Sequence, residues 1–85
     1  MKSNRIPNWS ITGVCTEARE LKNKEGKTWL YAVKLMALGG MYELQTKDES
    51  LFKIFGEGSE YETSGTFDHF NGAIKFLLKQ AKAVA

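Results

Sequence analysis

The stretch that decides the fold is Met41-Tyr42-Glu43-Leu44-Gln45-Thr46-Lys47-Asp48-Glu49-Ser50-Leu51-Phe52-Lys53-Ile54-Phe55-Gly56. Met41 to Thr46 alternates in polarity, the period of a half-buried strand. After Asp48 the period changes. Leu51, Ile54 and Phe55 fall at i, i+3 and i+4, with Asp48 placed to cap a helix and Gly56 to stop it. A strand therefore gives way to a helix of one or two turns, from Asp48 to Phe55.

Toward the N-terminus, Gly39-Gly40 predicts a hairpin turn. Before it, Thr28 to Ala37 is rich in aromatic and β-branched residues and reads as a strand. Asn23-Lys24-Glu25-Gly26-Lys27 reads as a turn. Trp9-Ser10-Ile11-Thr12 alternates, and Val14-Cys15-Thr16 resumes after Gly13. A glycine inside a long strand marks a bulge or bend, which small barrels need in order to pair their first strand on both sides. The single proline, Pro7, precedes this strand and breaks no ladder.

Toward the C-terminus, Tyr61 to Phe67 returns to strand, and Asn71-Gly72 is a two-residue hairpin signal. Ala73 to Val84 reads both ways, because Ile74, Leu77, Leu78 and Ala81 also fit a helical face. The Asn-Gly turn favours strand for its first half. The order is three strands, a short helix and two strands. That predicts a mostly β fold: one domain over residues 1–85, built as a small five-stranded β-barrel of the oligonucleotide-binding (OB) type, with the short helix between strands 3 and 4. An antiparallel sheet with a helix across it is the simpler alternative.

Eighty-five residues hold one modest core, and the 42% hydrophobic content suffices to pack it without disulfides or metal. The one cysteine, Cys15, precludes an internal disulfide and gives no sign of an oxidising compartment. Met1 to Pro7 has no apolar run of the secretory kind, and no segment reaches the roughly 18 apolar residues of a membrane helix. These readings favour a cytoplasmic, membrane-free protein.

The net charge of +2 is unevenly spread. Arg19 to Lys34 carries five basic and two acidic residues, and Glu43 to Glu62 carries six acidic and two basic. Gly72 to the end carries three lysines and no acid. Such polarity favours one face for an anion, although a charged segment is often only a solvated surface.

Catalysis and cofactors find little support. The only histidine, His69, falls in a turn, and one His with one Cys does not make a metal-ligand set. Asp48, Glu49 and the Glu57–Glu62 group lack a calcium-loop pattern. Gly56 and Gly58 follow a helix and so do not form a phosphate loop. Cys15 lies in an apolar strand and reads as a small core residue.

The first hairpin carries chemistry. Lys22, Lys24 and Lys27 surround Gly26, and Trp29 and Tyr31 follow. Phosphates need cations at several points along a strand, and unpaired bases need flat aromatic surfaces. The loop between strands 1 and 2 is also a ligand loop of this barrel type. Tyr42 starts the neighbouring strand and can extend the aromatic row. Phe67 and Phe70 flank the second hairpin, where Lys75 adds a charge. Trp29 borders the basic turn and divides evenly between exposure and core. Tyr31, Phe52, Phe55 and Phe76 read as core.

In this region the chain resembles the single-stranded DNA-binding proteins of filamentous phages. The matching pieces are Arg19, then Lys24-Glu25-Gly26-Lys27 with Trp29 two residues on, then Leu38-Gly39-Gly40-Met41-Tyr42, then Lys47. The resemblance implies a small barrel of similar length. It implies phosphate contacts from Arg19, Lys24, Lys27 and Lys47, and stacking by Trp29 and Tyr42. It also implies pairing as a dimer through the second hairpin, where Phe67 and Phe70 either make an apolar contact or stack bases. The chain departs from the family in a shorter second strand, in the helix after Asp48 and in a last segment without arginine. Other single-strand binders, including primosome and replication barrels, share the general pattern.

The function expected is non-enzymatic, sequence-tolerant binding of single-stranded DNA in replication or recombination, in the host cytoplasm if the chain is phage-encoded. A protein-interaction module on the same barrel and a binder of single-stranded RNA are the alternatives.

Overall fold

The computed structural model describes residues 8–84, with the side chain of Phe70 left out; Pro7 and the Met1 to Pro7 segment lie outside the described residues. Five strands and one helix follow the predicted order: β1 (Trp9–Lys22), β2 (Thr28–Ala37), β3 (Gly40–Thr46), α1 (Glu49–Phe52), β4 (Glu60–Phe70) and β5 (Ala73–Ala83). The strands close into a barrel in the order β1-β2-β3-β5-β4, with β1 pairing back to β4. All neighbours are antiparallel except β3 and β5, which pair in parallel at Leu44–Phe76 and Gln45–Leu77. A five-stranded closed barrel with a helix between strands 3 and 4 is an OB-type barrel, not a sheet with a helix laid across it.

β1 is the strand that closes the barrel. Trp9 to Val14 pairs with β4, and Val14 to Lys22 pairs with β2. Gly13 sits where the strand passes from one partner to the other, and a Cβ there would lie 2.5 Å from the carbonyl oxygen of Met36. The glycine thus permits a close strand approach. The bulge itself comes three residues later, at Thr16, which has no partner between the Cys15–Leu35 and Glu17–Lys34 pairs. A second close approach occurs at Gly65, beside a register shift in the β4–β5 ladder. A Cβ there would collide with the carbonyl of Leu77 and come within 2.8 Å of the Trp9 ring.

The core fills the barrel from every strand. Cys15, Val33, Leu35 and Leu44 are fully buried, with Leu78, Tyr61 and Trp9 around them. Phe76 joins one end of this core to an aromatic cluster, meeting Trp9, Tyr42 and Phe67 edge-on at centroid distances of 5.5, 6.1 and 5.3 Å. The T-shaped geometry suits the ring quadrupoles. Trp9 also donates its indole N–H to the carbonyl of Thr66 at 2.8 Å, which satisfies its one polar group.

α1 is shorter than its sequence period implies. Asp48 caps it, accepting from the N–H groups of Ser50 and Leu51, and regular helix ends at Phe52. Phe55 then turns in to the core, its ring tilted at 54° to that of Tyr61 with centroids 4.6 Å apart. The Tyr61 hydroxyl accepts from the N–H of Gly56 at 2.6 Å and ties down the exit of the helix. The ambiguous C-terminal segment is strand throughout, Ala73–Ala83. Its ten backbone pairings with β4, from Phe70–Ala73 to Tyr61–Ala83, outweigh the helical propensity of its Ala, Leu, Lys and Gln residues. Asn71 takes the left-handed backbone, φ 53°, in the turn that starts it.

Candidate nucleic-acid interface

The first hairpin is built by Asn23. Its side-chain oxygen accepts from the N–H groups of Glu25 and Lys27 at 2.9 and 3.0 Å, and its backbone N–H donates to the Lys27 carbonyl. Gly26 takes φ 83° at the turn. This Asx-type turn leaves Lys22, Lys24 and Lys27 exposed. Lys22 lies 4.0 Å from Glu20, a long and weak pair. Among the described residues no carboxylate pairs with Lys24, Lys27 or Lys47.

Trp29 follows at once, and the register explains its exposure. Leu21 pairs with Leu30 and Lys22 pairs with Thr28, so Trp29 is an unpaired bulge residue. Bulges re-aim side chains, and Trp29 stands 56% exposed beside the lysine turn. Tyr31, two residues on, is half-buried and stacks on Phe52 of α1 at 4.6 Å and 29°. Its hydroxyl pKa is pushed upward, first by desolvation and then by Glu49 and Glu20. Tyr31, read from the sequence as core, instead lies half-buried against α1, outside the buried core, because the short helix rather than the barrel interior covers its ring.

Lys47 comes next to this group through the ladder. Tyr31 pairs with Thr46, the last residue of β3, so Lys47 follows directly where the chain leaves β3 at the Leu30–Trp29 end of β2. The hairpin lysines, Trp29 and Lys47 thus gather at one end of the β1-β2-β3 sheet.

Tyr42 does not extend this row. It pairs with Leu35, six residues along β2 from Trp29, a separation of roughly 20 Å at strand rise. It is half-buried, with its ring against Phe76. The alternation that puts Tyr42 next to a strand-two residue is correct, but the residue it meets is Leu35. Tyr42 borders a separate shallow depression with Ser10, Thr12 and Leu38.

Arg19 is exposed in part but is not free. Its guanidinium lies 3.1 Å from Glu43 and 3.9 Å from Glu17, and Glu17 also pairs with Lys34 at 3.5 Å. Lys75 is half-buried on the second hairpin, opposite Asp68 in the β4–β5 register. Phe67 is 43% exposed with its ring against Phe76. The side chain of Phe70 lies outside the described residues. The parallel β3–β5 register sets Phe76 beside Leu44, so the second hairpin projects from the Gly40 end of β3. Lys75 and Phe67 are therefore not part of the Lys24–Trp29 group.

Two features escaped the sequence reading. One is the charge network formed by Glu17, Arg19, Lys34 and Glu43, whose members are brought together only by strand register. The other is an open groove of about 520 Å³ across β1, β4 and β5, whose lining includes Ser10, Glu62, Ser64, Lys79, Gln80 and Lys82. Among the described residues no three His, Cys, Asp or Glu side chains come together as a metal site. Among them, too, no helix is long and apolar enough to cross a membrane. No protein-family model and no curated protein matches the chain.

Proposed function

We propose that this protein is a non-enzymatic, sequence-tolerant binder of single-stranded nucleic acid, DNA in preference to RNA, acting on exposed strands in replication or recombination in the cytoplasm. The observation that carries the reading is Trp29: an indole 56% exposed at a bulge, two residues after Lys27 and at the hairpin end of the sheet that also carries Lys24. A half-exposed tryptophan contributes less to folding than a buried one, and it offers a flat surface on which any base can stack. The lysines meet phosphates on either side. The loop between strands 1 and 2 is where OB barrels take oligonucleotides.

Three contacts from Lys24, Lys27 and Lys47 correspond to a log–log salt slope of about −2, and Lys22 brings it closer to −3. Titration with oligo-dT at low salt is the direct test. Trp29→Phe assigns the fluorescence change, because the other tryptophan, Trp9, is 7% exposed in the core. Quenching that Trp29→Phe removes supports the reading. Absence of quenching and of any mobility shift up to tens of micromolar overturns it. RNA and DNA oligomers of one sequence establish the sugar preference.

A second reading, a protein-interaction module, draws on the β2–β3 hairpin. Met36 and Met41 pair across the strands there and are 53% and 57% exposed, and Leu38 at the tip is fully exposed. Salt-insensitive binding to a protein partner, without oligonucleotide affinity, is its signature. Self-pairing through Phe67 at the second hairpin belongs with the first reading and is tested by sedimentation.

A further inference from the structure

The outer face of β1-β2-β3 carries its charges in two adjoining rows. Glu17, Lys34 and Glu43 stand side by side across the three strands, and Arg19, Ala32 and Gln45 form the next row. Arg19 reaches across β2 to Glu43, next to the small residue Ala32. The result is a chain of alternating charge, Glu43–Arg19–Glu17–Lys34, with contacts of 3.1, 3.9 and 3.5 Å. Its net charge is zero. It occupies the middle of the strand 2–3 face that OB barrels offer to nucleic acid.

We infer that Glu43 and Glu17 act as a carboxylate screen: they hold Arg19 and Lys34 away from phosphate and restrict nucleic acid to the β1–β2 hairpin end of the face. The inference rests on the nucleic-acid reading above. A phosphate approaching Arg19 has to displace Glu43 and then sit beside a carboxylate that has lost its partner. The exposed lysines of the hairpin impose no such exchange. Glu43 is thus a specificity-determining residue that acts through Arg19. It narrows the footprint to the lysine turn, and it makes Arg19, the only arginine among the described residues, silent in binding.

The test measures oligo-dT affinity from 50 to 500 mM salt for the intact chain and a set of variants. Glu43→Gln removes the charge but keeps the side-chain shape. Freeing one cation steepens the salt slope by about 0.7, so the ratio of Glu43→Gln to wild-type affinity changes about fivefold across that tenfold salt range. Arg19→Ala leaves wild-type binding unchanged and abolishes the gain in the Glu43→Gln background, a coupling read from the double-mutant cycle. Glu60→Gln on β4 removes the same charge elsewhere and does not reproduce the slope change. The screen is overturned if Glu43→Gln matches Glu60→Gln, or if Arg19→Ala already weakens the wild type. Failure of the underlying reading looks different: wild type and a Lys24→Ala/Lys27→Ala variant are then equally inert, and the screen falls with it.

Discussion

Trp29→Ala separates a stacking surface from a core residue, because the two roles predict different losses. Trp29 is 56% exposed, so less than half of its surface is covered by the barrel. A fully buried aromatic removes about 150–250 Å² from water, and the covered share here comes to about 70–110 Å². At about 25 cal/mol per Å² that is about 2–3 kcal/mol, an upper figure because the unfolded chain is not fully extended. A domain of 85 residues is stable by about 4–13 kcal/mol, so the variant stays folded at 25 °C. A loss of about 2 kcal/mol lowers Tm by about 8–16 °C. Binding falls as well. A stacked base is worth about 1–3 kcal/mol, which is about a 5- to 140-fold loss of affinity. Thermal unfolding by circular dichroism and oligo-dT titration by anisotropy measure both quantities on one sample. A folded variant with wild-type affinity refutes stacking. A variant with no cooperative transition refutes the exposed placement of the indole.

Three further outcomes test the barrel itself. Gly65→Ala pushes a methyl group into the Leu77 carbonyl and the Trp9 ring, and strain of this kind costs about 1–3 kcal/mol or more; a wild-type urea midpoint would contradict the close packing. Asp48→Ala removes the cap on Ser50 and Leu51 and lowers unfolding free energy by about 1 kcal/mol, with no change in salt slope for oligonucleotide binding. The Cys15 thiol is pushed above its ordinary pKa, chiefly by burial, with a backbone hydrogen bond at Glu17 opposing the rise and Glu57 adding to it. The folded state therefore holds this proton after the unfolded chain has released it. Its contribution to stability is full below the unfolded thiol pKa and is lost as pH climbs toward the folded value. The urea midpoint accordingly drops as pH rises past the ordinary thiol value of 9.0, and Cys15→Ala flattens that drop. An equally steep decline in the variant would assign it to other groups.

Much of the architecture was legible because it is local. The change of period at Asp48, the Asn-Gly turn and the glycine spacing each act through a few neighbouring residues. Together they specify three strands, a helix and two strands. The C-terminal segment was ambiguous for the opposite reason. Its residues favour helix by themselves, and only pairing with β4 on one side and β3 on the other makes it strand. The same limit applied to the site. The lysine turn and Trp29 are contiguous in the chain and were recognisable. The distance between Trp29 and Tyr42 depends on which β2 residue each β3 residue meets, and alternation alone does not set that register.

By itself, the sequence determined the element order, the apolar faces and a hairpin in which Lys24, Lys27 and Trp29 stand together. These follow from periods and turn chemistry, which short-range sterics impose on any chain. The tertiary structure alone decided three things. It unpaired Trp29 at a bulge, it turned Tyr42 in against Phe76, and it joined Arg19 to Glu43 across β2. Each depends on where a second or third strand is placed, and closure of the barrel is what places them.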